Sequence, residues 1–194
     1  NFTTPEFNVN VAQLPFWALS VYFSWRCIKE GKLLNYIFLG IFVGLGILAK
    51  YLFLYLIIGI VFLFSYLIFF KRKKIKIYNL ITAFLVSSIV ISPHIFWLVE
   101  NDFATISYGI QRAGGDNELI NHFFHPFTFI LKQIGILIPF FVIFLLLIKK
   151  IKIQKNYINK KIIFLFFTCI IPILFIVLTS LIMGAKIRTM WMTP

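Results

Sequence analysis

One apolar stretch, residues 33–70, constrains the fold of this chain more than any other part of its sequence. Its single charged residue is Lys50, near the middle. The stretch is almost twice as long as the roughly 20 apolar residues with which a helix crosses a hydrocarbon core of ~30 Å. We therefore expect two membrane-spanning helices joined by a tight turn at Ala49-Lys50-Tyr51.

The composition extends this conclusion to the whole chain. Of its 194 residues, 61% are hydrophobic and 13% are charged, whereas soluble domains are roughly 45–50% apolar and about 25% charged. These values exclude a soluble enzyme and a disordered tail. Two cysteines are too few to frame a disulfide scaffold. The sequence predicts an all-α, polytopic membrane protein.

Apolar segments of spanning length recur along the chain. They predict about six transmembrane helices in a single transmembrane domain, at residues 11–28, 33–49, 51–70, 77–99, 127–148 and 162–183. The loop at 100–126 should carry a short interfacial helix, because Phe103, Ile106 and Ile110 recur at helical spacing. Gly114-Gly115 should end that helix. Because the chain starts at Asn1 without a methionine, we expect an interior piece of a longer protein.

Charged residues separate the two sides of the membrane. Basic residues concentrate in three connections, 26–32, 71–76 and 149–161, which contain a single acid, Glu30. The positive-inside rule places these connections in the cytoplasm, and the acidic segment 100–126 outside it. We predict a multi-pass protein of the cell inner (plasma) membrane. The net charge of +13 then reflects topology and contact with membrane lipids, and it indicates no nucleic-acid partner.

The outward segment around the loop at 100–126 holds most of the candidate substrate-binding residues. These are His94, Trp97, Tyr108 and Arg112. Arg112 is suited to an anionic group, and Tyr108 or Trp97 to a stacking or hydrogen-bonding wall. The alternative is an amphipathic interfacial segment with an aromatic belt and no substrate.

Lys50 is the remaining candidate for substrate binding. A lone ammonium at depth costs roughly 2.5–3.5 kcal/mol, so it must reach the interface, an acid or a bound anion. Either Lys50 extends to the membrane surface, or it holds a lipid-linked phosphate at the outer face.

Other polar residues give weaker indications. His122 and His125 are three residues apart, but no carboxylate pair with metal-ligand spacing accompanies them, so we predict no metal site. Glu100 and Asp102 have a spacing that would suit acid–base chemistry, although such residues at a helix end are more often simply solvated.

Four segments together resemble one enzyme family. The segment Gly40 to Tyr51 resembles the glycine-rich turn, ending in Lys, of bacterial glycosyltransferase family 39, the dolichyl-phosphate-mannose-protein mannosyltransferase-like group with the GT-C fold. Residues 4–10, Ser92-Pro93-His94 with Trp97, and Arg188 with residues 191–194 resemble further family segments in the same order. Glu6, Asn8 or Asn10 stands where many members carry Asp.

The resemblance implies an inverting hexosyltransferase. It would move a sugar from a polyprenyl-phosphate-linked donor to a lipid, glycan or protein acceptor at the extracytoplasmic face. Lys50 and Arg112 would stabilise the leaving phosphate, and no cofactor is implied. The catalytic carboxylate of the family lies in its first extracytoplasmic loop, which we expect upstream of Asn1, so the catalytic residue in this chain is unknown.

Two other classes are compatible with the pattern of spans. A membrane transporter or lipid flippase subunit would also have six spans with few intramembrane charges, and Pro139 and Pro172 lie near the middle of their spans. Transporters commonly show internal repeats, and no repeat is visible in this sequence. A scaffold subunit without chemistry is the third class.

Overall fold

The computed structural model describes residues 8–113, 118–148 and 160–187. In this part of the chain every regular element is helical, which confirms the all-α prediction. The helices are α1 (Val9–Glu30), α2 (Leu33–Ala49), α3 (Leu54–Phe69), α4 (Ile77–Glu100), α5 (Ala104–Ala113), α6 (Leu119–Ile148), α7 (Lys160–Leu165) and α8 (Ile171–Met183). A 3-10 turn, Tyr51–Phe53, leads into α3, and a π-helical turn, Phe166–Ile170, joins α7 to α8.

Four of the described helical segments are long and apolar enough to cross a membrane. They are Tyr51–Phe69, Ile77–Glu100, Leu119–Leu147 and Lys160–Met183. Helix α2 is apolar but shorter, at 17 residues. Helix α1 has 22 residues and a more polar sequence. The predicted number of six spans, and the treatment of the chain as one transmembrane domain, stay predictions.

The structure places the start of α6 well before the predicted span. Helix α6 begins at Leu119 and includes Pro126, whereas the sequence suggested a loop up to residue 126 and a span from Phe127. His122 and His125 interrupt the apolar residues in the first part of α6. They lower the hydropathy there, although the backbone is already helical from Leu119. The connection between α4 and α6 therefore consists of residues 101–118, and it contains the short helix α5 that the sequence predicted. Gly114-Gly115 lies outside the described residues.

Helix α2 packs between α1 and α4, and two glycines permit its close approach to α4. A Cβ atom at Gly40 would lie 2.4 Å from the Ala83 carbonyl oxygen, and one at Gly44 would lie 2.7 Å from Val90 Cβ. Small residues four apart allow membrane helices to pack at short distance. This packing brings the ends of α2 and α4, which run in parallel, to the same side of the molecule.

The buried core lies among α1, α2, α3 and α7. Its fully covered side chains include Tyr36, Phe53, Leu56 and Leu63. Helix α6 contrasts with this core, because it packs against α8 and leaves most of its apolar side chains exposed. A helix with an apolar surface on nearly all sides fits a lipid environment and does not fit water.

Candidate functional site

Several helix ends meet on one side of the bundle, which we name the outer end. It comprises the start of α1, the turn at residues 50–53, the last turns of α4, helix α5, the start of α6 and the end of α8. Side-chain hydrogen bonds join the start of α1, the turn, α4 and α5 to one another, and others join the start of α6 to the end of α8. All the described candidate residues from the sequence lie at this end.

Lys50 lies at the junction between α2 and α3. Its backbone N–H donates to the Gly46 carbonyl at 3.1 Å and closes α2. Its Nζ donates to Oδ1 of Asn10 at 2.5 Å. The side chain is half-buried, and this burial lowers the pKa of Lys50 to about 8 because an ammonium loses hydration there. Lys50 is thus a cation at neutral pH in a partly dehydrated position.

The first turn of α1 fixes the position of Asn10. The side-chain oxygen of Asn8 accepts hydrogen bonds from the backbone N–H groups of Asn10 at 2.9 Å and Val11 at 3.2 Å. This is the usual arrangement of an asparagine N-cap. The capped helix start therefore presents the Asn10 amide to Lys50.

Close packing also fixes the turn that carries Lys50. A Cβ atom at Gly46 would lie 2.5 Å from the Phe53 ring, so the ring rests directly on the backbone of α2. Phe53 is fully buried, and the Trp17 ring contacts it edge-on with 5.6 Å between centroids. The turn is thus held between α1 and α2.

Tyr51 connects this turn to α4 and α5. Its hydroxyl lies 2.6 Å from Nε2 of His94 and 2.7 Å from Oγ1 of Thr105. A tyrosine hydroxyl can donate to one partner and accept from the other. The reversal before α5 uses positive φ angles at Asp102 and Phe103, and it brings Thr105 within reach of Tyr51.

His94 and Trp97 form an aromatic pair beside Tyr51. Their rings stack with 5.8 Å between centroids and an angle of 11° between planes, and Trp97 is 42% exposed. Stacked aromatic faces of this kind present a flat apolar wall with polar edges. Such a surface is suited to stacking against a flat apolar face of a ligand.

The structure brings some of the predicted site residues together. Tyr51 is the residue after Lys50, and its hydroxyl lies within hydrogen-bond distance of His94, whose ring stacks on Trp97. Lys50, His94 and Trp97 therefore belong to one connected group. Tyr108 lies on α5 with an exposed side chain. Arg112 also lies on α5, and its side chain is outside the described residues, as are Glu6, Arg188 and residues 191–194.

His122 and His125 connect two helices. Nδ1 of His122 lies 2.8 Å from the Leu181 carbonyl oxygen, and Nδ1 of His125 lies 2.8 Å from that of Gly184. Because a carbonyl only accepts, each Nδ1 carries the proton and donates. These bonds join α6 to the end of α8, which is a structural role. Across the described ranges, no group of three or more His, Cys, Asp or Glu side chains is arranged to hold a metal ion.

Sequence reasoning missed part of the connected group. It treated Tyr51 only as a turn residue and did not consider Thr105, and it discussed Asn10 only as a departure from the family pattern. A tyrosine next to the lone charge of a long apolar stretch was the available signal for Tyr51. Thr105 gives no comparable signal, because its partner is distant in sequence.

The chain matches the model of a known protein family. The family model described as dolichyl-phosphate-mannose-protein mannosyltransferase matches residues 1–97, which include Asn10, Lys50, Tyr51 and His94. Comparisons with curated proteins and with solved structures gave no significant match. The matched region is half of the chain, and it agrees with the apolar helical architecture. The chain therefore belongs to the dolichyl-phosphate-mannose-protein mannosyltransferase family and is a membrane glycosyltransferase of the mannosyltransferase-like type.

Proposed function

We propose that this protein transfers a sugar from a polyprenyl-phosphate-linked donor to an acceptor at the extracytoplasmic face, and that Lys50 binds the donor phosphate. The observation that carries the proposal is the half-buried ammonium of Lys50, held by Asn10 at the junction of two apolar helices. The family match supports the reaction class. It also favours a transferase over a transporter or flippase.

A phosphate is the ligand that best fits the position of Lys50. Partial burial removes water from the ammonium, and a bound anion replaces that lost hydration with a charge-assisted hydrogen bond. The ammonium carries three protons, so the contact with Asn10 is compatible with a phosphate contact. Asn10 is neutral, and it positions the cation without cancelling its charge.

In an inverting transfer, the acceptor hydroxyl attacks the anomeric carbon from the face opposite the phosphate. A base takes the hydroxyl proton, the bond between the anomeric carbon and the phosphate oxygen breaks, and polyprenyl phosphate leaves with the bonding electrons. Lys50 would stabilise the negative charge that develops on that oxygen. Arg112 is our second candidate for this role, and the base is unassigned.

The aromatic residues of the outer end would contact the sugar. The stacked pair of His94 and Trp97 offers a flat face, and Tyr108 lies exposed on the neighbouring helix α5. We assign these three residues to sugar or acceptor binding. The hydrogen bonds of Tyr51 to His94 and Thr105 would hold this wall against the turn that carries Lys50.

The charge distribution supports the proposed orientation in the inner membrane. The connections between α1 and α2 and between α3 and α4 lie at the end of the bundle opposite Lys50, and they are rich in lysine. The positive-inside rule assigns that basic end to the cytoplasm. The outer end with Lys50 would then face the extracytoplasmic side, where a lipid-linked donor and its acceptor meet.

Binding of radiolabelled polyprenyl phosphate to the purified protein tests the phosphate site. We expect Lys50→Met to weaken binding about ten- to hundredfold, because a charge-assisted contact is worth roughly 1.5–3 kcal/mol. Lys161→Met removes the same charge at the basic end and should leave this binding unchanged. Equal affinity of Lys50→Met and the unaltered protein would contradict the assignment.

A further inference from the structure

A cavity with both lysines and apolar residues in its lining lies at the basic end, opposite Lys50. Its volume is about 590 Å³. Four lysines line it: Lys29 at the end of α1, Lys71 and Lys73 in the connection between α3 and α4, and Lys160 at the start of α7. The proposed sugar-transfer reaction uses none of these residues.

Two of these lysines, Lys73 and Lys160, are close enough to influence one another. Lys73 is half-buried, and its Nζ donates a hydrogen bond to the Ile28 carbonyl oxygen. Burial first, and the positive charge of Lys160 second, lower the pKa of Lys73. The cavity thus gathers four cations from three separate parts of the chain, and at least Lys73 and Lys160 repel each other.

The chain provides almost no negative charge to balance these lysines. Glu30 is the only acid in the basic connections, and its carboxylate is occupied elsewhere. Oε1 of Glu30 lies 2.6 Å from Nε of Arg26, and Oε2 accepts from Nδ2 of Asn35 at 3.2 Å. Among the described residues, no ion pair joins a carboxylate to any of the four lysines that line the cavity. An external anion would relieve their repulsion.

The remaining walls of the cavity are apolar. Leu63 and Leu67 from α3 lie beside Trp25 of α1 and Phe164 of α7, and the two aromatic rings meet edge-on with 5.0 Å between centroids. A free inorganic anion would make no favourable contact with these apolar walls. A ligand with a phosphate head and hydrocarbon chains matches both halves of the lining.

We propose that this cavity binds the phosphate headgroup of an anionic glycerophospholipid from the cytoplasmic leaflet, with the acyl chains against the apolar walls. The bound lipid would join the end of α1, the connection before α4 and the start of α7. The site uses the membrane orientation proposed above but does not depend on the donor site at Lys50.

Thermal unfolding of the purified full chain in detergent, with three additives in turn, tests the proposal. Phosphatidylglycerol should raise Tm by about 2–4 °C or more, the size of shift expected for a modest ligand in a chain of this length. Phosphatidylcholine and inorganic phosphate at equal concentration should give little shift. A full shift with inorganic phosphate would identify a free-anion site and overturn the lipid assignment. A full shift with phosphatidylcholine would show that the lysines are not involved.

A pair of double variants separates this cavity from general surface charge. Lys71→Gln with Lys160→Gln should weaken phosphatidylglycerol binding, measured by titration, about tenfold. The matched control, Lys74→Gln with Lys161→Gln, removes the same charge from exposed neighbours that do not line the cavity. Equal effects of the two pairs, or no effect of the first, would overturn the proposal. If the first pair fails to fold, Lys29→Gln, at an exposed position, replaces it with the same expected direction.

Discussion

The Nζ atom of Lys50 donates a hydrogen bond of 2.5 Å to Oδ1 of Asn10, and this contact joins the turn between α2 and α3 to the first turn of α1. The two residues are distant in sequence, and both lie in the part of the chain that matches the family. The Asn10 amide is neutral, so this contact orients the ammonium of Lys50 without adding a counter-charge of its own.

Asn10→Asp should weaken binding of polyprenyl phosphate at neutral pH. A carboxylate at this position would neutralise Lys50 and raise its pKa, since an opposite charge nearby favours the charged form. We expect affinity to fall several-fold while the protein stays folded. Asn8→Asp, which preserves the N-cap of α1, is the control, measured in the same titration. A gain in affinity with Asn10→Asp would contradict the proposed role of Asn10.

Donor binding should weaken as pH rises through about 8. Burial lowers the pKa of Lys50 to about 8, so the free protein loses this charge well below the ordinary lysine pKa of about 10.4. A bound phosphate stabilises the ammonium and raises its pKa. The fall in kcat at alkaline pH, which we name the alkaline limb, should therefore lie at higher pH than the corresponding fall in kcat/KM. The Lys50→Arg variant, which stays charged, should bind the donor more weakly at neutral pH, but its rate should not fall along this alkaline limb. An unchanged limb in Lys50→Arg would show that another group titrates.

Tyr51→Phe should loosen α5 from the end of α4. The substitution removes the hydroxyl that lies within hydrogen-bond distance of His94 and Thr105, and the loss of such contacts costs about 0.5–1.5 kcal/mol each. We expect faster amide hydrogen exchange in residues 104–113 and a several-fold rise in KM for the donor. Tyr78→Phe, at the basic end, should change neither quantity. Unaltered exchange in Tyr51→Phe would show that this contact does not hold α5.

Gly44→Ala should destabilise the packing of α2 against α4. The added Cβ would lie 2.7 Å from Val90 Cβ, so the two helices must move apart to accommodate it. Overpacking of this kind typically lowers the free energy of unfolding by about 1–3 kcal/mol. Gly135→Ala places the same methyl group on α6, where nothing lies within 4 Å, and should be neutral or slightly stabilising, because Ala favours a helix more than Gly does. Denaturation of the purified protein in detergent measures both variants. Equal stability of the two would indicate that α2 and α4 are not in close contact.

The sequence was sufficient to predict the all-helical architecture but not the side-chain contacts between the helices. The lone charge of residues 33–70 located the turn at Lys50, because an ammonium is tolerated at the end of a membrane helix and is costly inside one. Hydropathy did not reveal the start of α6 at Leu119, because the first part of this helix contains polar histidines. Their hydrogen bonds to the end of α8 are tertiary contacts that hydropathy does not report. The contacts of Tyr51 with His94 and Thr105 depend on the packing of α2 against α4, which no local pattern encodes.

Sugar transfer by the Lys50→Met variant of the full-length protein, reconstituted in membranes and titrated with a polyprenyl-phosphate-linked donor, tests the central claim most directly. We predict a kcat/KM about ten- to hundredfold below that of the unaltered protein, with normal expression and membrane insertion, because each 1.4 kcal/mol of lost transition-state binding is a factor of ten. Lys161→Met, treated in the same way, should transfer sugar at the full rate. Full transfer by Lys50→Met would contradict the account and leave Lys50 with a role only in the turn between α2 and α3.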